Sequence, residues 1–159
     1  MPSSEYLELC LGSDIHFDDL SEFMESALDE LSSKRGGPQL LGLFNQSKLK
    51  SHFLDIANED IFFRGILWEG NLGGLIWAEL YHNNLDQRFC VINALIVRKD
   101  LRGKGFGKQL YIGCEKWSAD KGSKGIEIQV LPGDRHSKNF CESRGLVARS
   151  LIMHKPLGS

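Results

Sequence analysis

Residues 101–110 read LRGKGFGKQL, three glycines and three cations in ten positions. They follow the apolar run CVINALIV (90–97), which predicts a strand buried on both faces. After them, Phe106, Leu110, Cys114 and Trp117 share one stripe while Lys108, Glu115, Lys116 and Asp120 fall off it, which predicts a helix over 104–120. The stretch is therefore a strand-to-helix corner. The first N–H groups of a helix lack intrahelical partners, and the helix dipole puts partial positive charge there. Glycines let a ligand approach such amides closely. The corner reads as a phosphate or pyrophosphate cradle made of the amides of Arg102, Gly103, Lys104, Gly105, Phe106, Gly107 and Lys108, with the charges of Arg102, Lys104 and Lys108 around it. The alternative is a glycine-rich turn that only lets the helix pack tightly on its strand.

Two well-known phosphate loops do not fit. A P-loop needs G-x-x-x-x-G-K-[ST], but Gln109 follows Gly107-Lys108 and Arg102 stands five before Gly107. A dinucleotide G-x-G-x-x-G would put its third glycine on Lys108 or Leu110. What remains is R-x-x-G-x-G at Arg102, Gly105 and Gly107.

Outward from the corner, IEIQVL (126–131) reads as a further strand and DRHSKNFCESRG (134–145) as a short helix closed by Gly145. LVARSLIMHKPL (146–157) reads as one or two final strands. Upstream, YLELCLG (6–12) alternates like a strand, and 18–34 carries Leu20, Phe23, Met24, Ala27, Leu28 and Leu31 at helical spacing. Arg35-Gly36-Gly37-Pro38 stops that helix, and a second is expected over 47–58 from Leu49, Phe53, Ile56 and Ala57. The 61–83 region predicts two strands turning at EGN (69–71), and Asn83–Asp86 predicts the turn into the next strand. The fold class is α/β: one mixed sheet with helices on both faces.

At 159 residues and 42% hydrophobic, the chain is expected to form one domain with a real core over 1–159. The formal net charge of −2 argues against a general nucleic-acid binder, so any anion must be held locally. No apolar run approaches the roughly 18 residues of a membrane span, and the N-terminus lacks a secretory pattern. Cys10, Cys90, Cys114 and Cys141 lack metal spacing and read as reduced thiols of a cytoplasmic protein. No metal, nucleic-acid or membrane partner is expected.

The segment INALIVRKDLRGKGFGKQLYIGCEKWSADKG resembles the central motif of the GNAT acyltransferase superfamily, with Val97, Arg102, Gly105 and Gly107 in order and spacing. The tail from Ile126 resembles that family's second half. The resemblance implies a mostly antiparallel sheet with a V-shaped splay between two parallel strands, here 90–97 and 126–131. It implies acetyl-CoA as co-substrate: pyrophosphate on the corner amides, pantetheine along the backbone of Leu95, Ile96 and Val97, and Ser137 and Asn139 within reach of the pantetheine or adenosine end. Asp134 is equally an N-cap.

In that family a tyrosine on the last short helix commonly protonates the leaving sulfur. The aligned residue here is Cys141, whose thiol can donate a proton or simply pack. Glu79, among Trp77 and Tyr81, and His136 are the candidate proton-handling groups, each with a plain surface reading beside it. The implied activity is N-acetyl transfer to a primary amine of a small molecule or peptide. The alternative is a non-catalytic acyl-CoA-binding domain that has lost its acid. A homodimer is left open.

Overall fold

The computed structural model describes residues 6–10, 14–34, 45–55 and 57–158. The expected stop at 35–38 lies outside them. In chain order the elements are β1 (Tyr6–Cys10), α1 (Phe17–Ser32), α2 (Gln46–Leu54), β2 (Ile61–Trp68), β3 (Asn71–His82) and β4 (Arg88–Val97). A 3₁₀ turn (Lys99–Leu101), α3 (Phe106–Asp120), β5 (Ile126–Ile128) and α4 (Arg135–Ser143) follow.

The strands form one sheet in the order β1-β2-β3-β4-β5. The first three pairings are antiparallel and β4 with β5 is parallel. β2 and β3 join through Glu69 (φ 50°) and Gly70 (φ 84°), the double left-handed geometry of a tight hairpin turn whose twist matches its strands. Both sheet faces are covered. On one, Phe62, Ile76, Ala78 and Ile92 pack against Leu110 and Cys114 of α3. On the other, Phe63, Leu75 and Trp77 pack against Leu20 and Met24 of α1 and Leu49 and Phe53 of α2. Neighbouring residues of β2 and β3 thus belong to opposite cores, which is why these strands read as continuous apolar runs.

One close approach fixes the chain after β4. A Cβ on Gly73 would lie 2.5 Å from Leu101 Cδ1 and 3.3 Å from Trp68 Cβ, so any larger residue there would displace the buried Leu101 side chain. Leu101 is buried there, and Arg98 N–H donates to Gly73 O at 2.8 Å. The glycine corner therefore starts from an anchored point.

Two expectations are corrected. The strand expected over 126–131 pairs only at Ile126–Ile128, because Gln129 and the residues after it diverge from β4. Residues 146–157, expected as one or two strands, form none here: from Val147 to Gly158 every residue is exposed and outside any strand. Helix bounds also tighten. α3 begins at Phe106 rather than 104, because Gly105 takes a left-handed N-cap conformation. α4 begins at Arg135, with Asp134 as its cap, and α2 ends at Leu54 rather than 58.

Candidate active site

β4 holds β5 over only three pairs, Cys90–Ile126, Val91–Glu127 and Ile92–Ile128. Beyond them β4 stays with β3 (Leu95 opposite Ile76, Ile96 opposite Leu75, Val97 opposite Gly74) while β5 departs. The parting begins at a bulge: Trp77 faces Ala94 and Ala78 faces Ile92, so Asn93 is the extra residue. A bulge bends its strand and re-aims a side chain. Between the diverging strands lies a cavity of about 390 Å³, walled by Leu95, Ile96 and Val97 on one side and Gln129, Val130 and Leu131 on the other.

The glycine corner stands at its mouth, where Arg102 and Gly107 line the cavity. The first i→i−4 bond of α3 runs from Gln109 N–H to Gly105 O at 3.0 Å, so the amides of Gly107 and Lys108 are first-turn donors without an intrahelical acceptor. Gly103 (φ 83°) and Gly105 (φ 88°) are left-handed, and a Cβ on either would meet nothing within 4 Å. The space above the corner is open.

The corner's side chains divide. Arg102 does not aim at this space: its Nη1 and Nη2 donate to Glu30 Oε1 and Oε2 at 2.7 and 2.8 Å, and its Nε donates to Val97 O at 2.9 Å. It staples α1 to the end of β4. Lys104 Nζ lies 5.7 Å from the Trp68 ring centroid, a cation–π contact at the rim. Lys108 is exposed on the first turn. Phe106 is buried with its ring 5.6 Å from that of Trp68, so its side chain serves the core.

Beside the cleft a polar cluster crosses the α2 side of the sheet; its Glu79 and His52 are not among the residues lining the cavity. Glu79 accepts from Lys48 Nζ at 2.8 Å through Oε1 and from Asn93 Nδ2 at 2.9 Å through Oε2. His52 Nδ1 is 3.5 Å from Glu79 Oε2, but it accepts the Trp77 indole N–H at 3.0 Å. An Nδ1 that accepts cannot donate, so the ring is neutral with its proton on Nε2. Burial lowers the His52 pKa from its ordinary value, against the opposing pull of Glu79. Lys48, Trp77 and Asn93 line the cavity.

From the far wall, α4 contributes His136, Ser137, Phe140 and Cys141. Cys141 is buried and lines the cavity, and burial, then Asp134 and Glu142, raises its thiol pKa. The thiol is therefore held protonated. His136 lines the rim and is exposed. Ser137 also lines the cleft, but its hydroxyl donates to Asp134 Oδ2 at 2.7 Å, and Asp134 Oδ1 accepts the Ser137 N–H at 3.2 Å. Asn139 is exposed and is not among the residues lining the cavity.

Lys48 and His52 were missed from the sequence. Their signal was faint: an i,i+4 pair on α2, one step before Leu49 and Phe53, which mark its buried face. Among the described residues no group of three or more His, Cys, Asp or Glu is placed to hold a metal ion.

A mixed sheet opened between two parallel strands, with a glycine-started helix at the opening, defines an α/β group-transfer fold. The model of the acetyltransferase (GNAT) family matches residues 23–146. The chain belongs to the GNAT acetyltransferase family, and it is an acyltransferase. An uncharacterized N-acetyltransferase in the pepI 3′ region of Lactobacillus delbrueckii subsp. lactis is 24% identical over 138 residues, covering 85% of this chain and 69% of that one. Among solved structures, a putative acetyl transferase from Pyrococcus furiosus superposes with a TM-score of 0.71 at 23% identity, over 96% of this chain and 100% of that chain. AAC(6′)-Iy in complex with a bisubstrate analog, CoA-S-monomethyl-acetylneamine, superposes at 0.63 and 14% identity, over 97% and 100%.

Proposed function

We propose that this chain, acting as one domain over residues 1–159 in the cytoplasm, moves an acetyl group from acetyl-CoA to a primary amine of a small molecule or peptide. The observation that carries this reading is the parting of β4 from β5 after Ile92 and Ile128, with the amides of α3 at the mouth of the gap. A pantetheine is a narrow chain with two amides, suited to an open strand edge such as that of Leu95–Val97. A pyrophosphate suits first-turn amides beneath open space. Both requirements are met within one cavity, so the residues fit the group.

When bound, acetyl-CoA supplies the acetyl group as a thioester. The amides of Gly103 to Lys108 hold its diphosphate, and Lys104 and Lys108 add charge at the rim. Arg102 holds the corner in place through Glu30 instead of touching the phosphate. The main-chain N–H just past the Asn93 bulge polarises the thioester carbonyl. Glu79 takes the proton of the acceptor ammonium through water, because its two oxygens keep lone pairs beyond the bonds from Lys48 and Asn93. As the C–N bond forms and the C–S bond breaks, Cys141 would give its proton to the sulfur, and the second proton lost by the amine nitrogen would pass through water back to the Cys141 thiolate. His136, at the rim, exchanges protons with solvent. The acceptor half is walled by Met24, Leu28 and Leu31 of α1 and by Trp77. This suits an amine carried on an apolar body.

The test is release of free thiol from acetyl-CoA over a panel of amines. Turnover on at least one amine, lost in Glu79→Gln, supports the reading. Tight acetyl-CoA binding with no turnover on any amine would instead favour an acyl-CoA-binding role.

A further inference from the structure

The core beneath the cleft holds two cysteines that the acetyl transfer does not use. Cys90 of β4 and Cys114 of α3 are both fully buried, and their sulfurs lie 3.8 Å apart. They stand 24 positions apart in sequence and meet because α3 packs back across the sheet after the glycine corner. Ser118, one turn beyond Cys114 on α3, is buried as well, and its hydroxyl donates to the Cys90 sulfur. Two donors thus converge on one sulfur inside a cluster otherwise built from side chains such as Ile76, Ile92 and Leu110. The Cys114 thiol, followed by the Ser118 hydroxyl, lowers the Cys90 pKa, while the same contact with Cys90, and then burial, raises that of Cys114. The pair is unequal: one sulfur is prepared to attack and its neighbour keeps its proton.

We propose that Cys90 and Cys114 form a redox latch: a peroxide joins them in a disulfide, and the bond fixes the cofactor-side segment that runs between them. The Cys90 thiolate attacks one peroxide oxygen, the O–O bond breaks, and Cys90 becomes a sulfenic acid as hydroxide leaves. The Cys114 sulfur then attacks the Cys90 sulfur, the S–O bond breaks, and water departs with the Cys114 proton. The hydroxide takes up the proton that Cys90 first gave away. Two thiols and one peroxide therefore give one disulfide and two waters. The sulfurs close from 3.8 Å to a bonded distance of about 2.0 Å, a shift that side-chain rotation and a slight settling of α3 on β4 supply. Full burial admits the peroxide only through local opening, so the reduced pair is the ordinary state.

The position of the bond gives it a consequence. The loop it closes runs from Cys90 to Cys114 and contains the Asn93 bulge, Leu95–Val97, the 3₁₀ turn and the whole glycine corner. The strand edge and the first-turn amides at the cleft thus lie inside one ring. Joining the ends of that ring removes freedom from the unfolded chain and holds α3 on β4. Oxidation therefore hardens the part of the fold that shapes the cleft. The inference does not depend on the acyl group or the acceptor.

The experiment exposes the full chain, reduced and then freed of reductant, to hydrogen peroxide. It reads a peptide map made without reductant and the melting midpoint. The expected map contains a Cys90–Cys114 peptide pair about 2 Da lighter than the two free peptides together. The midpoint should rise by several degrees and fall back on addition of dithiothreitol. Cys114→Ala, a small apolar replacement, should show no rise with peroxide. The map of the unaltered chain decides the matter even if that variant folds poorly. Three results would overturn the proposal. One is both thiols still free once Met153, 89% exposed, is fully oxidised. Another is a bond that joins Cys10 or Cys141 instead. The third is a Cys90–Cys114 bond that leaves the midpoint unchanged or lowers it.

Discussion

Arg102 and Glu30, 72 residues apart in sequence, form a two-pronged ion pair at 2.7 and 2.8 Å while Arg102 Nε holds Val97 O. One guanidinium thus ties together the helix over the cleft, the end of β4 and the glycine corner. Arg102→Lys keeps the charge but loses the fork, since an ammonium cannot match two carboxylate oxygens and a carbonyl at once. Both side chains are about a third exposed, so solvent screening limits the stability cost to about 1 kcal/mol or less. The larger effect is on the corner's geometry: acetyl-CoA affinity should fall about tenfold, and calorimetry checks this. The pair should also leave a pH signature. The hydrogen bond from Arg102 lowers the Glu30 pKa below its ordinary 4.5. A lowered carboxylate gives stability that is complete above the ordinary value and lost as pH falls through the lowered one. The gap in melting temperature between wild type and Arg102→Ala should hold steady at neutral pH and close below about pH 4.5.

Gly105 separates backbone strain from ligand chemistry. Its φ is 88°, and a Cβ there would touch nothing within 4 Å. Gly105→Ala should cost about 1–2 kcal/mol from the left-handed backbone alone and keep measurable acetyl-CoA binding. Gly105→Glu carries the same strain and sets a carboxylate where the diphosphate should lie. It should lose binding by more than about a hundredfold while melting within a few degrees of the alanine variant.

Glu79 is gripped by Lys48 and Asn93 on a bulge that exists to turn Asn93 toward it. Glu79→Gln keeps the shape and removes the carboxylate proposed as the base. Turnover should drop about 10² to 10³-fold with acetyl-CoA KM nearly unchanged, as expected for a group that acts on the acceptor's proton. His52 gives a separate pH prediction. Burial lowers its pKa, so the unfolded chain takes up its proton first. Stability from this site is complete above the ordinary histidine value and declines as pH falls from about 6.5 toward the lowered one. His52→Gln should flatten that decline in a pH series of denaturant melts.

Cys141 carries a thiol that burial keeps protonated. Cys141→Ala should lower kcat about tenfold or more if its proton reaches the leaving sulfur. Cys141→Tyr, which restores the phenol common in the family, should recover part of that loss. A merely packing cysteine predicts the reverse order, with alanine tolerated and tyrosine destabilising by overpacking.

The parts of this molecule legible in the sequence are those set by local physics. The 90–97 strand and the α3 helix could be read because apolar residues repeat at their own period, and the corner between them because glycine has few other uses there. The Asp134 cap was readable for the same reason. Glu79 was readable as a candidate, but its pairing with Lys48 and Asn93 was not, because it depends on how α2 docks across β3 and on a one-residue bulge that no pattern announces. Arg102 is expected at the phosphate from its amide, its charge and its place in the motif; its guanidinium is instead engaged by Glu30 on a helix 72 residues away. The 146–157 tail has the composition of a strand, but composition alone does not pair it: none of residues 147–158 lies in a strand.

The most direct measurement is an amide NMR titration of the full chain with acetyl-CoA. Saturable shifts are expected at Gly103–Lys108 and at Leu95–Val97, both absent in Gly105→Glu. Saturable shifts confined to other surfaces, or no shifts at all on folded protein, would contradict that expectation.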